Sequence, residues 1–389
     1  MAPSKLKKRG GSNPKWWVTG SSIFALLSGF VVFSLTSPAD IQPFFVADAI
    51  RRMSEEGSLD RHSMLNDTNS ISTNKYPPVS CSAALEEVRA EGNGEMDPNK
   101  GVLHGKTVQM GPMYPKFWIS LHDVSFDPTR WHVMDYGEYY EKALSRAFAE
   151  VLKDTPAGSR VIDVGGNIGF FTMLSAANGP VVVDTFEPNQ KNRLRVCESS
   201  FLNHWHSEFN KDFVGDAKQR SKINIYPYGV GRLEGVFSFH EHSNPGQGRV
   251  SEQLPGTAPD GNALHVITLD NFARERGWFT TRPDIAILKV DVEGFEYSVI
   301  EGAAELLKAK IIRNLFMEVS AREKWEMEIN KPALKLVFQS GYKLHKIGAW
   351  RGPNNDVSFP QDDNIAEHVM QRTLKEKSQQ LNLWWKLDD

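Results

Sequence analysis

The sequence predicts an α/β protein whose main domain is a doubly wound, mostly parallel β-sheet, preceded by a membrane helix and a polar stem. Between Ser159 and Ser320, continuous runs of Val, Ile and Leu alternate with helical segments. Such strands are typical of a parallel sheet that helices cover on both faces. Ahead of this region, a charge-free apolar stretch follows five basic residues, and a Ser-, Asn- and Thr-rich stretch precedes the domain.

The composition excludes several classes of protein. Among 389 residues, 40% are hydrophobic and 24% are charged, which is ordinary for a globular protein and excludes a wholly disordered or polytopic membrane chain. The 45 Lys and Arg against 48 Asp and Glu provide no general attraction to nucleic acid, and we expect no nucleic-acid partner. Two cysteines, Cys81 and Cys197, are too few for a disulfide framework or a four-thiolate zinc site, and no metal is predicted.

The N-terminal region predicts a single-pass signal anchor. Residues 1–15 form a basic tail, and residues 16–36 supply the about 20 mostly apolar residues that a membrane helix needs. The basic flank predicts that the tail stays in the cytosol and that the rest of the chain crosses the membrane. We therefore expect a type II membrane protein of the secretory pathway, in the Golgi or the endoplasmic reticulum. A cleaved signal or organelle-targeting peptide is the alternative.

Residues 37–100 are predicted to form a largely disordered stem, because this polar run has few aliphatic side chains to bury. Its sequon, Asn66-Asp67-Thr68, agrees with a lumenal position. An aromatic-rich extension and a helix are predicted over 101–158, the main domain over 159–350, and a C-terminal tail over 351–389.

The main domain is predicted to alternate strands and helices in chain order. The predicted strands are Ser159–Gly166, Val181–Pro188, Lys222–Gly231, Asp284–Gly294 and Arg313–Ser320. The predicted helices lie at 170–179, 192–205 and 296–310, with a further amphipathic helix near Glu141–Lys153. In open parallel sheets, ligands bind beyond the carboxyl ends of the strands. The residues that follow each strand are therefore the candidates for a functional site.

The first two predicted strands end in patterns that suit a nucleoside. The first ends in DVGGNIG, residues 163–169, where glycines allow a tight turn and the close approach of a ligand. This spacing departs from G-x-G-x-x-G and disfavours NAD. The second strand ends at Glu187, whose carboxylate can accept both hydroxyls of a ribose. The candidate cofactor-binding residues are Asp163, Gly165, Gly166, Asn167, Gly169, Glu187 and Asn189. A structural tight turn and a helix N-terminal carboxylate are the alternatives.

Four strings, taken in order, resemble the FkbM-type S-adenosylmethionine-dependent methyltransferases. They are VIDVGGNIGFFTML, TFEPNQ, VITLDNF and ILKVDVEGFEYSVIEGA, and they cover about Ser159 to Ser320. The resemblance implies the Rossmann-like class I methyltransferase fold and S-adenosyl-L-methionine as cofactor. It also implies O-methylation of a hydroxyl on a small molecule or a glycan. The predicted anchor and stem lie outside it.

The end of the fourth predicted strand carries the candidate catalytic residues, Asp291 and Glu293. An alcohol is a poor nucleophile near neutral pH, so methyl transfer to it benefits from a positioned base. If the strand continues through both residues, their side chains share a face, and two close carboxylates raise the pKa of one of them. The alternative is that they cap the next helix or hold the turn.

Other functions stay open at this point. A dinucleotide-dependent oxidoreductase would use a similar sheet, although the glycine spacing counts against it. A catalytically silent, membrane-anchored adaptor would keep the same fold. His240 and His242 together with Asp291 form a weaker pattern for a metal site, because solvated histidines are the commoner case.

Overall fold

The computed structural model describes residues 74–85, 106–109, 115–122, 140–206, 220–240, 249–251, 262–322, 324–349 and 354–388. The predicted tail, the anchor and the Asn66 sequon lie outside the described residues. Among the helices that are described, none has the length and apolar character needed to cross a membrane.

The elements follow one another in chain order. The strands are β1 (Lys106–Gln109), β2 (Trp118–Leu121), β3 (Arg160–Val164), β4 (Val182–Phe186), β5 (Lys222–Tyr226), β6 (Gly229–Val230), β7 (Gly235–His240), β8 (Arg249–Ser251), β9 (Asn262–Ile267), β10 (Ile285–Val290), β11 (Ile312–Ser320), β12 (Tyr342–Ala349), β13 (Asn354–Asp356) and β14 (Gln380–Leu387). The helices are α1 (Lys142–Lys153), α2 (Phe170–Ala177), α3 (Gln190–Leu202), α4 (Leu269–Glu275), α5 (Trp278–Thr281), α6 (Glu296–Glu301), α7 (Ala304–Lys308), α8 (Lys324–Gln339) and α9 (Ile365–Lys375).

The central sheet has eight strands in the order β13-β12-β14-β11-β10-β3-β4-β5. The pairs from β11 through β10, β3 and β4 to β5 are all parallel. The antiparallel pairs lie at the other end of the sheet, where β14 is antiparallel to both β11 and β12, and β13 is antiparallel to β12. The doubly wound, mostly parallel sheet predicted from the sequence is therefore confirmed. The chain order reverses at β3, which lies between β4 and β10, and ligands bind at such switch points.

Apolar strands form the centre of this sheet because both of its faces are covered. Along β3, Val161 packs into one core cluster and Ile162 into another, and Ile287 and Leu288 of β10 divide in the same way. Successive side chains of a strand point to opposite faces, so a strand buried on both faces is a continuous apolar run. Helix α2 contributes to one cluster, and the helices that follow β10 contribute to the other.

A second, four-stranded sheet has the order β6-β9-β7-β8. Its own small core includes Phe237, Phe239 and Phe295. The single strand predicted over Lys222–Gly231 is divided between the two sheets, as β5 and β6. Pro227 lies at the break, where a residue without an N–H cannot donate to a strand ladder.

The C-terminal region is part of the fold, whereas the sequence predicted a tail over 351–389. Strand β14 lies inside the sheet, with Leu381, Leu383 and Trp385 almost completely buried. Helix α9 adds Ile365 and Val369 to the main core. The domain therefore extends to Leu387.

The end of the predicted stem also packs on the domain. Val79 donates its backbone N–H to the carbonyl of Ile225 on the edge strand β5, at 2.8 Å. Cys81 forms a disulfide with Cys197 of α3, and their Cα atoms are 5.4 Å apart. The two cysteines thus make one covalent link across 116 residues of chain, although their positions in the sequence indicated no role for them.

Candidate functional site

The glycine turn after β3 packs closely against its neighbours. Gly165 has a φ of 78°, and its N–H and that of Gly166 both donate to the carbonyl of Phe186 at 3.0 Å. A Cβ atom at Gly165 would overlap the carbonyl oxygen of Asp291, and one at Gly166 would overlap the hydroxyl of Thr185. A side chain at either position would therefore collide with the neighbouring strand ends. This packing requires glycine at both positions, whether or not a ligand also approaches the turn.

The rest of the turn leads into α2. Gly169, at the N-terminus of α2, has a φ of 87°, and a Cβ atom there would lie 3.1 Å from Val196 of α3. Asn167 has a φ of 51°, an uncommon conformation for a residue other than glycine. Its backbone N–H donates to Oε2 of Glu187 at 2.7 Å. The turn after β3 and the end of β4 are thus held together by the carboxylate of Glu187.

Glu187 is 6% exposed and makes several hydrogen bonds. Besides Asn167, its carboxylate accepts the N–H of Asn189 at 2.8 Å and the side-chain amide of Asn192 at 3.3 Å. Burial raises the pKa of Glu187, and these hydrogen bonds only partly oppose the shift. Asn189 is the N-cap of α3, with its side chain accepting the N–H of Lys191 at 2.9 Å. Its side chain is therefore already used in capping the helix.

A buried lysine connects the ends of β3 and β10. Nζ of Lys289 lies 3.3 Å from Oδ1 of Asp163 and 3.3 Å from Oδ2 of Asp291, and it donates to the carbonyl of Gly165 at 3.4 Å. The other oxygen of Asp163 accepts the hydroxyl of Thr172 at 2.7 Å. Burial lowers the pKa of Lys289, but the carboxylates of Asp291 and Asp163 outweigh it and hold this pKa above its ordinary value.

Lys289 was not identified from the sequence, although a signal for it was present. It is the only charged residue within β10, an otherwise apolar strand that is buried throughout. A charge in such a position is stable only when it is paired with an opposite charge.

The loop after β10 is bent rather than extended. Strand β10 ends at Val290, Glu293 has a φ of 57° and Gly294 a φ of 102°. The prediction that Asp291 and Glu293 share a strand face is therefore wrong. The turn is held instead by Glu296, whose Oε1 accepts the N–H groups of Val292 at 3.0 Å and Gly294 at 3.1 Å. Burial raises the pKa of Glu296 to about 7.

Two further carboxyl groups lie close to Asp291. Glu318 of β11 accepts a hydrogen bond from the Gln380 amide at 2.6 Å. Burial, followed by repulsion from Asp291, raises its pKa well above the ordinary value. Glu141 immediately precedes α1, and burial together with Asp291 raises its pKa to about 8. The loop after β10, strand β11 and the start of α1 thus bring carboxyl groups to one place.

The described residues contain no group of His, Cys, Asp and Glu side chains arranged to hold a metal ion. His240 is exposed at the end of β7, and His242 lies outside the part of the chain that the structure describes.

Residues 163–348 match the family model of the methyltransferase FkbM domain. This part of the chain is an FkbM methyltransferase domain. The family that the four sequence strings resemble is thus confirmed. The matched range includes every predicted cofactor-binding and catalytic residue, whereas Glu141, α9 and β14 lie outside it.

Solved structures of methyltransferases are also similar to this chain, at low sequence identity. Methyltransferase FkbM from Methylobacillus flagellatus is 12% identical over 59% of this chain and 44% of that chain, with a TM-score of 0.33. A protein from Streptococcus mutans described as a SAM-dependent methyltransferase is 12% identical over 76% and 57% of the two chains, with a TM-score of 0.35. A further structure, described as a methyltransferase complexed with SAH, is 10% identical over 76% and 57%, with a TM-score of 0.33. The chain spans less than two thirds of the length of each. No curated protein matches it.

Proposed function

We propose that the FkbM domain of this chain is an S-adenosylmethionine-dependent O-methyltransferase that acts on a hydroxyl of a glycan or a glycosylated metabolite. One observation carries the proposal. Glu187 and Asp291 follow β4 and β10, the two neighbours of β3, and therefore lie on either side of the switch point of the sheet.

The residues at this switch point fit S-adenosylmethionine. A carboxylate has about four lone-pair sites, and three donors contact Glu187, which leaves acceptor capacity for a ribose hydroxyl. The carboxylates of Asp163 and Asp291 suit a cationic ligand, because within the described residues they share one ion-pair partner, Lys289. When bound, the cofactor supplies a methyl group on a positively charged sulfur.

Asp291 is the better placed of the two candidate bases. Its side chain is 33% exposed, so a hydroxyl can reach it, and Lys289 holds one of its oxygens. Glu293 lies two residues further, in the bent part of the loop. In this proposal Asp291 orients the acceptor hydroxyl and takes up its proton, and Glu293 is the second candidate. Much of the remaining rate enhancement comes from holding the acceptor in line with the methyl group.

The charge around Asp291 favours an uncharged, hydroxyl-rich acceptor. Glu141, Glu293, Glu296 and Glu318 all contribute to the electrostatic environment of this part of the site. An acceptor bearing phosphate, sulfate or carboxylate next to the reacting hydroxyl would be repelled by the carboxylate of Asp291, whereas the raised pKa values of Glu141 and Glu318 favour neutral carboxyl groups that can hydrogen-bond to uncharged oxygens. Neutral sugars satisfy this requirement, and we propose no nucleic-acid partner.

We also propose that the domain lies in the lumen of the secretory pathway, attached through residues 16–36. The disulfide between Cys81 and Cys197 supports this location, because disulfides form and persist in oxidising compartments and are rare in the cytosol.

The cofactor proposal is tested by calorimetry with Glu187→Ala. We expect the variant to bind S-adenosylmethionine more weakly, by about 1.5–3 kcal/mol, because a charged hydrogen-bond acceptor is lost. Glu150→Ala is the control, since Glu150 is an exposed residue of α1 paired with Lys346. Unchanged affinity in a folded Glu187→Ala protein would exclude this role, and binding of NAD instead would favour an oxidoreductase. Mass spectrometry of glycans and metabolites, with and without the protein, identifies the acceptor.

A further inference from the structure

Glu141 occupies a position that neither the family match nor helix capping explains. It lies outside the matched range 163–348, at the residue that precedes α1. Its backbone is left-handed, with a φ of 46° and a ψ of 60°, and its side chain makes no capping hydrogen bond to the helix. A left-handed glutamate costs conformational free energy, and such residues are concentrated at functional sites.

The carboxyl group of Glu141 has one buried oxygen without a partner. Oε2 is almost completely buried and makes no hydrogen bond within the described part of the chain. The side chain of Asn382, on β14, hydrogen-bonds to the carboxyl group and orients it. An unpaired buried oxygen is destabilising in the isolated protein, and a bound ligand that supplies a hydrogen bond would remove this cost.

The charged groups around Glu141 come from two neighbouring strand ends. Lys289, Asp291 and Glu293 belong to β10 and the loop that follows it, and Glu318 belongs to β11. These are the groups that surround the candidate base. Asn382, the hydrogen-bond partner of Glu141, lies opposite Glu318 in the pairing of β14 with β11, so the carboxyl group of Glu141 adjoins the β11 side of this group of charges.

We propose that Glu141 is an acceptor-positioning residue, whose Oε2 hydrogen-bonds to a second oxygen of the acceptor, next to the hydroxyl that Asp291 orients. This inference rests on the proposed function and narrows the substrate class to compounds with oxygens on adjacent carbons, such as sugars. In the transfer step, the methyl carbon forms a bond with the acceptor oxygen as its bond to sulfur breaks. The electron pair of that bond goes to sulfur, and the hydroxyl proton goes to Asp291.

Glu141 keeps its own proton throughout this step. Burial and the nearby Asp291 raise its pKa to about 8, so near pH 7 it is a neutral acid that donates a hydrogen bond. A neutral donor also avoids adding a further negative charge beside Asp291.

A melting series against pH tests the protonation of Glu141 without any acceptor. The pKa of Glu141 is about 8 in the folded state and 4.5 ordinarily, so the unfolded state loses this proton first as the pH rises, and the wild type becomes less stable between pH 4.5 and 8. Glu141→Gln has no proton to lose at this position, so its stability should not fall for this reason. We expect the melting temperature of Glu141→Gln to exceed that of the wild type by a margin that widens from pH 5 to pH 8. Glu150→Gln, in the same helix but with an exposed side chain, should show no widening. A constant margin for Glu141→Gln would overturn the proposal.

Methyl transfer tests the positioning role. The full-length protein is given methyl-labelled S-adenosylmethionine and neutral oligosaccharides released from cells that lack it. Glu141→Ala should raise the acceptor KM about tenfold, the value of one hydrogen bond, without changing the affinity for S-adenosylmethionine. Glu141→Gln should recover most of this loss because its amide donates a hydrogen bond. Above pH 8 the wild-type Glu141 loses its proton and can no longer donate, so transfer by the wild type should decline there, whereas transfer by Glu141→Gln should not decline for this reason. Equal KM values for Glu141→Ala and the wild type would overturn the proposal.

The two proposals fail in different ways. A wild-type protein that does not bind S-adenosylmethionine in calorimetry would contradict the proposed function. A protein that binds the cofactor but shows no widening melting margin would contradict only the role of Glu141.

Discussion

At the scale of single residues, the candidate site contains side chains that hold the backbone in place and are also proposed to contact or orient a ligand. Glu187 joins two turns through its carboxylate, and Lys289 joins the ends of β3 and β10. A substitution at either residue therefore changes the local backbone as well as a ligand contact. Experiments on these positions need a stability measurement beside each binding or rate measurement.

Gly165→Ala should lower the melting temperature and abolish tight S-adenosylmethionine binding together. The added Cβ would overlap the carbonyl oxygen of Asp291, so the turn after β3 and the loop after β10 must separate. Gly158→Ala is the matched control, because Gly158 also has a positive φ, 84°, but no atom lies within 4 Å of a Cβ there. The control should lose only about 1–3 kcal/mol of stability from backbone strain and should still bind the cofactor. Similar behaviour of the two variants in melting and calorimetry would show that the contact with Asp291 is unimportant.

Asp291→Asn should reduce single-turnover methyl transfer by about 10²–10⁴-fold while S-adenosylmethionine still binds. The amide keeps the size of the side chain but cannot take up the acceptor proton. The acceptor is the one identified by mass spectrometry, and a melting curve accompanies each variant. Glu293→Gln tests the second candidate, and Asp388→Asn, in an exposed pair with Lys343, is the control. Near wild-type rates in both Asp291→Asn and Glu293→Gln would mean that catalysis rests on proximity or on another base.

At the scale of elements, helix α3 is held in place at two points, its N-terminus and its middle. Its N-terminus is capped by Asn189 beside Glu187, and Cys197 in its body is bonded to Cys81. The segment 74–85 is therefore attached covalently to the helix that follows the ribose-binding candidate. The segment is held on the domain by this link and by the buried side chains of Tyr76 and Leu85.

Cys81→Ser should destabilise the domain by about 4–5 kcal/mol, because the disulfide closes a loop of 116 residues and restricts the unfolded chain. Denaturant unfolding of the oxidised wild type, the reduced wild type and the variant measures this difference. Reductant should lower the stability of the wild type to that of Cys81→Ser and leave the variant unchanged. If reductant has no effect on the wild type, the disulfide does not stabilise the protein.

At the scale of the whole molecule, the last strand completes the sheet. Strand β14 pairs with β11 on one side and β12 on the other, so β12 and β13 join the sheet only through it. It also carries Asn382, which orients Glu141. The end of the chain is thus connected to both the core and the candidate site.

Deleting residues 376–389 should unfold the domain, because it removes β14 and exposes the partners of the fully buried Trp385. Circular dichroism and limited proteolysis compare this deletion with removal of residues 388–389 alone, which lie beyond β14 and should be tolerated. A folded, protease-resistant domain lacking 376–389 would contradict the observed sheet order.

The proposed topology makes a separate prediction for the intact protein. In sealed microsomes the domain should be protected from added protease until detergent is present, and Asn66 should carry a glycan that a glycosidase removes. A cytosolic tail of residues 1–15 that stays accessible to protease is the internal control. Digestion of the domain in sealed vesicles would show that it faces the cytosol and would contradict the proposed orientation.

The sequence by itself determined the class of the fold and the family. Buried parallel strands are local apolar runs, and turns such as that at 163–169 need glycine for local reasons, so both are visible within a few residues. Only the tertiary structure decided that β14 lies inside the sheet, that Cys81 and Cys197 are bonded, and that Lys289 and Glu141 adjoin Asp291. These contacts join residues far apart in the chain, and their energy depends on burial and on partners that no local pattern specifies. The bend at Glu293 has the same origin, because Glu296 and the neighbouring β3 turn hold the loop in a conformation that its own sequence does not require.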